Sequence, residues 1–199
     1  MAERKLSGCE LWPVPGFLAQ GALKTRTGSA PVALAGPRDS EAAVIVAGTS
    51  APVVQGIAAH AARKGLAVFA LGGRAGDDAD DILAAAVELA LLRGSERIGF
   101  CVHGSWTEPS LRVAPALVEV LAVLDPDPVD PSTDPERLRG IPLWIATGTD
   151  AAPAAQALHA RARHPRSLIE LPSVPALQHA VNDVAAEIVP FLRHGLRRR

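Results

Sequence analysis

Through most of the chain, short unbroken apolar runs alternate with longer stretches in which apolar residues recur every three or four positions. The runs AAVIVAG (Ala42–Gly48), LAVFAL (Leu66–Leu71), RIGFCV (Arg97–Val102), PLWIAT (Pro142–Thr147) and SLIEL (Ser167–Leu171) read as strands. Their lack of polar alternation suits strands buried on both faces. Between them, Val54, Ile57, Ala58 and Ala61 fall at helical spacing, closed by Lys64 and Gly65. The acids of DDADD (Asp77–Asp81) open a helix that runs to about Arg93 and ends at Gly94. A further apolar stretch covers Val113–Leu124, and an Ala-rich helix lies between PLWIAT and SLIEL. In the last helix Leu177, Val181, Val184, Ile188 and Phe191 form one apolar stripe.

The chain's beginning is less regular. Residues 1–21, with Pro13, Pro15 and Gly16, read as an irregular lead-in. Two extended pieces follow near Ala22–Thr27 and Val32–Ala35, separated by the turn residues Gly28 and Ser29. The Pro- and Asp-rich segment Asp125–Pro135 reads as an exposed loop. Strand–helix alternation of this kind predicts a doubly wound, mainly parallel α/β sheet forming one domain over residues 22–199.

Composition narrows the function classes. Apolar residues make up 48% of the chain, charged residues 21%, and the formal net charge is −1. A near-neutral chain has no long-range field to draw in nucleic acid. With three Trp, four Phe and no Tyr there is little to build a base-stacking surface. The basic end, Arg193–Arg199, reads as a solvated helix terminus. No apolar run is long enough to span a bilayer, and two cysteines, Cys9 and Cys101, suit a reducing compartment. The expected location is therefore cytoplasmic. The string LSGC (Leu6–Cys9) resembles a lipoprotein cleavage box, but only MAERK precedes it, and it reads as coincidence unless the true start lies upstream. The six His are scattered without HxH, HExxH or Cys–His pairing, so no metal is expected, and no cofactor.

Several segments, in order, resemble the α/β-hydrolase superfamily, specifically its small lidless members such as dienelactone-hydrolase-like esterases. ALKTRTGSAPVALAGPRDSEAAVIVAG resembles the N-terminal strand pair and the strand before the oxyanion loop. DDADDILAAAVELALLRGSERIGF resembles the helix and strand that deliver the nucleophile. PLWIATGTDAAP resembles the strand and turn presenting the triad's acid, and SLIELPSVPALQHAVNDVAAEIVPFL the final strand, His loop and closing helix. The likeness covers roughly residues 22–195. It implies an open site at the strand ends, because the connection before PLWIAT is too short to hold a lid.

The chemistry fits the resemblance less well. The family's nucleophile stands on a sharp strand-to-helix turn, G-x-S-x-G, whose flanking residues must be small. Here the turn reads CVHGSWT (Cys101–Thr107). Alignment on the strand puts Gly104 at the nucleophile position, flanked by bulky Val102 and Trp106. A one-residue slip makes Ser105 the nucleophile with His103 and Thr107 as flanks, and a third frame centres on His103 between Cys101 and Ser105. Asp150 stands where the resemblance places the orienting acid, though it also suits a helix N-cap. The loop Leu171–Gln178 lacks the family's His. The nearest, His179, serves as base only if the last helix starts later than Pro175 suggests, and otherwise faces solvent or caps. GTSAP supplies the oxyanion loop, with Gly48, Thr49 and Ser50 as candidates, or else a plain turn with Thr49 or Ser50 as cap.

Three functions follow as expectations. The first is a hydrolase-like protein with a degenerate triad, inactive or weakly active, that binds a small molecule or a partner. The second is a serine esterase acting on small carboxylic esters, with Ser105 as nucleophile, His179 or His103 as base and Asp150 as acid. The third is a nucleotide binder using GGRAG (Gly72–Gly76), which lacks the spacing of a dinucleotide or P-loop motif. None calls for nucleic acid or a membrane, and the oligomeric state is left open.

Overall fold

The structure, a computed structural model, describes residues 9–10 (backbone), 19–133, 138, 140–162, 166–172 and 174–197. The prolines of the lead-in and the end of the expected loop at Pro135 lie outside these residues. In chain order the strands are β1 Cys9–Glu10, β2 Ala19–Lys24, β3 Ser29–Ala35, β4 Ala42–Gly48, β5 Ala67–Gly73, β6 Arg97–Gly104, β7 Val120–Pro126, β8 Leu143–Thr147 and β9 Arg166–Glu170. The helices are α1 Ala51–Arg63, α2 Ala79–Leu92, α3 Thr107–Leu117, α4 Ala152–Arg161 and α5 Val181–Gly195, with a short 3-10 turn at Leu177–His179.

All nine described strands join one sheet, in the order β2-β3-β5-β4-β6-β7-β8-β9, with β1 paired to the end of β5. Strands β4 to β9 run parallel to one another, while β2 pairs antiparallel with β3, and β1 and β3 pair antiparallel with β5. β4 shows why the interior runs lack polar positions. Its Ala43, Ile45 and Ala47 enter one core with α2, α3 and α4, while Val44 and Val46 enter the other with α1 and α5. A strand sandwiched this way has no wet face, so both parities must be apolar. Among the described residues no segment forms a lid over the carboxyl edge of the sheet.

The structure differs from the sequence expectation at four places. The sheet reaches back to Cys9–Glu10 and Ala19, into the stretch expected to be irregular. The apolar stretch Val113–Leu124 divides: α3 ends at Leu117 after Pro115, Val118 is extended at φ −135°, and Val120 begins β7. Proline inside the helix and β-branched residues beyond it favour that break. Asp125 and Pro126, expected in an exposed loop, are instead buried at the end of β7. Finally, β6 runs two residues past Val102, and α5 begins at Val181, leaving Leu177 in the preceding 3-10 turn.

Candidate active site

Parallel register brings the carboxyl ends of three neighbouring central strands together. Gly48 of β4 stands opposite His103 of β6, and His103 opposite Leu124 of β7. The next residues outward, Thr49 and Asp125, therefore flank His103 on its two sides. On β7 the register then skips a residue, since Gly104 pairs with Pro126. Asp125 is the extra residue of that bulge, and its φ of 39° makes it the one non-glycine in the left-handed region among the described residues. A bulge re-aims the side chain it carries.

The re-aimed Asp125 carboxylate is buried and fully engaged. Its Oδ1 accepts from Gly148 N at 2.8 Å and Thr147 Oγ1 at 3.4 Å, and its Oδ2 accepts from Leu177 N at 2.7 Å. It thereby ties the turn after β8 to the segment before α5. Gly148 is needed there, because a Cβ would run into the carbonyl oxygens of Val174 and Pro175. The same Oδ2 lies 4.0 Å from His103 Nε2. That separation is an electrostatic contact and too long for a hydrogen bond. The other ring nitrogen, His103 Nδ1, is hydrogen-bonded to Thr49 Oγ1 at 2.9 Å. The His103 side chain is 12% exposed, and burial holds its pKa below the ordinary value, only partly offset by Asp125 and Asp127. Its resting state at neutral pH is the uncharged imidazole.

At the turn from β6 into α3, Gly104 adopts φ +64°. A Cβ at that position would lie 2.5 Å from Thr49 Oγ1. The bulky neighbours are absorbed by the core: Val102 and Trp106 are both fully buried on the α2–α4 side. Trp106 Nε1 donates to Gly73 O at 2.8 Å. Ser105 Oγ accepts the Ala75 N–H at 2.9 Å. The backbone of GGRAG is thus engaged with this turn at two of its polar groups.

The structure brings some sequence candidates together and keeps others apart. His103 and Thr49 meet, and Gly48 backs them, since a Cβ on it would come within 3.0 Å of His103 Cβ. Ser50 opens α1 without a side-chain cap, and its Oγ instead reaches Gln178 Oε1 at 3.4 Å. His179 lies in the 3-10 turn ahead of α5, is exposed, and has Gln178 as its hydrogen-bond partner at 3.4 Å. Asp150 is exposed, and its backbone N–H donates to Pro175 O at 3.0 Å. The cap of α4 is Ala151. Cys101 is buried, its thiol pushed up to about 12 by desolvation, and it behaves as a small apolar residue. No group of three or more metal-ligating side chains occurs among the described residues.

Asp125 escaped the sequence reading. The signal was present: it is the first polar residue after the apolar run Val120–Leu124. That run was hidden because it joins, without a turn residue, the apolar end of α3.

No protein-family model and no curated protein sequence matches the chain. Solved structures do. The esterase domain of a Rhodothermus marinus protein superimposes with a TM-score of 0.74 at 18% identity, covering 88% of this chain and 98% of that one. Dienelactone hydrolase from Anabaena variabilis gives a TM-score of 0.74 at 15% identity, covering 90% of this chain and 98% of its own. The chain has the α/β-hydrolase fold. A hypothetical protein from Pseudomonas aeruginosa shares the fold end to end, at a TM-score of 0.74 and 12% identity, covering 98% and 100% of the two chains. At these identities the likeness is one of architecture, and function has to be argued from the site.

Proposed function

We propose that this α/β-hydrolase-fold protein binds a small carboxylic ester or a related carbonyl compound at the carboxyl ends of β4, β6 and β7, without the family's serine chemistry. The observation that carries this reading is the turn at residues 104–105. Its left-handed residue is Gly104, and the neighbouring Ser105 Oγ is engaged by the Ala75 N–H. A hydroxyl nucleophile needs a base within hydrogen-bond reach. Among the described residues the partner of Ser105 Oγ is a backbone amide, and no imidazole bonds to it.

The ligand class rests on two supports. Named structural neighbours are an esterase domain and a dienelactone hydrolase. The site itself presents a hydroxyl, a neutral imidazole and, behind it, a carboxylate that resists a second negative charge. A neutral ester suits that environment better than a phosphate or a dianion. Ligands of this fold class bind beyond the carboxyl ends of the strands.

The test is turnover and binding of short-chain p-nitrophenyl esters by the purified protein beside its Ser105→Ala variant. The expected result is a raised melting temperature with ester, turnover far below the usual enzyme range of roughly 1–1000 per second, and no difference between the two proteins. Rapid turnover that disappears in Ser105→Ala would replace this reading with the serine esterase.

A further inference from the structure

We propose that the reactive hydroxyl of this site is Thr49, which with His103 and Asp125 forms a relay displaced by one strand from the elbow. The inference rests on the reading above and adds a slow acyl-transfer activity to it. Three observations carry it. Thr49 Oγ1 lies 2.5 Å from the place where a Cβ on residue 104 would be, so it occupies the space a side chain at the elbow would fill. It is hydrogen-bonded to His103 Nδ1 at 2.9 Å, and the opposite ring nitrogen faces Asp125 Oδ2 at 4.0 Å. Exposure falls along the same line, from an exposed threonine through a nearly buried histidine to a buried carboxylate. The hydroxyl is therefore open to substrate, while the groups behind it are shielded from water.

The arrangement suits a hydrolysis in two steps. The relay uses the tautomer with its proton on Nε2, toward Asp125, which leaves Nδ1 to accept the Thr49 hydroxyl. Thr49 Oγ1 attacks the ester's carbonyl carbon while its proton passes to His103 Nδ1. The bond to the leaving alcohol breaks as Nδ1 returns that proton to the alkoxide, and an acyl-threonine remains. A water molecule then gives a proton to Nδ1 and its oxygen to the same carbon. The bond to Thr49 breaks, Oγ1 recovers the proton, and the acid departs. In both steps the imidazole is transiently cationic, and the Asp125 carboxylate stabilises it. Asp125 acts through His103 and is a positioning residue. Gly104 has a role of its own, since a side chain there would expel the Thr49 hydroxyl.

Reaction of the full chain with an alkyl fluorophosphonate tests this, because Oγ1 displaces fluoride from phosphorus and leaves a stable adduct. Tryptic cleavage separates the candidates: Thr49 falls in Asp39–Arg63 and Ser105 in Ile98–Arg112. The expected adduct is on Thr49. It is absent from Thr49→Ala, slowed about a hundredfold or more in His103→Gln, retained in Thr49→Ser and unchanged in Ser105→Ala. In Asp125→Asn the labelling rate falls and its inflection moves to lower pH, a shift that loss of packing alone would not produce. Circular dichroism shows that each variant is folded. An adduct on Ser105 overturns this inference and the proposed function together. An adduct on Ser50, or no adduct in a protein that p-nitrophenyl butyrate still stabilises thermally, overturns this inference alone.

Discussion

Two turns at the carboxyl edge of the sheet leave their strands through left-handed backbone, and they use it in opposite ways. At the end of β6 the residue is Gly104, φ +64°, and what matters is the absence of a side chain, which leaves room for the Thr49 hydroxyl. At the end of β7 it is Asp125, φ 39°, and what matters is the side chain, whose carboxylate accepts from Gly148, Thr147 and Leu177. The first turn gives access and the second gives support. A non-glycine residue in this conformation costs roughly 1–2 kcal/mol. At Asp125 two short backbone hydrogen bonds offset that cost, and at Gly104 no such cost arises.

Replacing Asp125 tests the supporting turn most severely. Asp125→Ala leaves the Gly148 and Leu177 amides without their acceptor in a buried setting. The expected loss is about 2–6 kcal/mol, since each unsatisfied amide costs about 1–3 kcal/mol. Urea unfolding measures it, and a loss no larger than that of an average surface substitution would mean the staple is dispensable. Gly104→Ala should cost about 1–3 kcal/mol, from left-handed backbone together with crowding against Thr49 Oγ1. If that variant is as stable as the parent, the open turn is not needed. Ser105→Ala removes only the acceptor of the Ala75 amide. About 0.5–1.5 kcal/mol is expected, and a thermal melt resolves it.

The smallest effect is a pH dependence. Burial lowers the pKa of His103, and His60 and His159 are shifted in the same direction by desolvation. Below the ordinary value of 6.5 the unfolded chain therefore binds more protons than the folded one. Stability should rise with pH through that window and level off above it. Melts from about pH 5 to about pH 8 should show this, with part of the slope removed by His103→Gln. An unchanged slope would mean that His103 titrates freely in the folded protein.

Much of the architecture is legible in the sequence because the reasons for it are local. The run Ala42–Gly48 coincides with β4 as observed, since seven apolar residues in a row fit only a strand with both faces covered. The helix stripe from Val181 to Phe191 is read just as directly. β7 was less visible, because apolar residues ending α3 run into apolar residues opening the strand. The Asp125 bulge was not visible at all. Its signal is a register offset between two strands, and one strand read alone carries no register.

The sequence by itself determined the class of fold: alternating buried strands and amphipathic helices, a parallel core, and a turn at residues 101–107 that departs from the G-x-S-x-G pattern. Hydrophobic periodicity dictates these features, and it acts over a few residues at a time. Only the tertiary structure decided which polar groups meet. Thr49 and His103 are 54 positions apart in sequence and share a hydrogen bond. They meet because parallel strands return through crossover helices and line up their carboxyl ends. That alignment depends on how whole strands pack against one another, and nothing in the spacing along the chain records it.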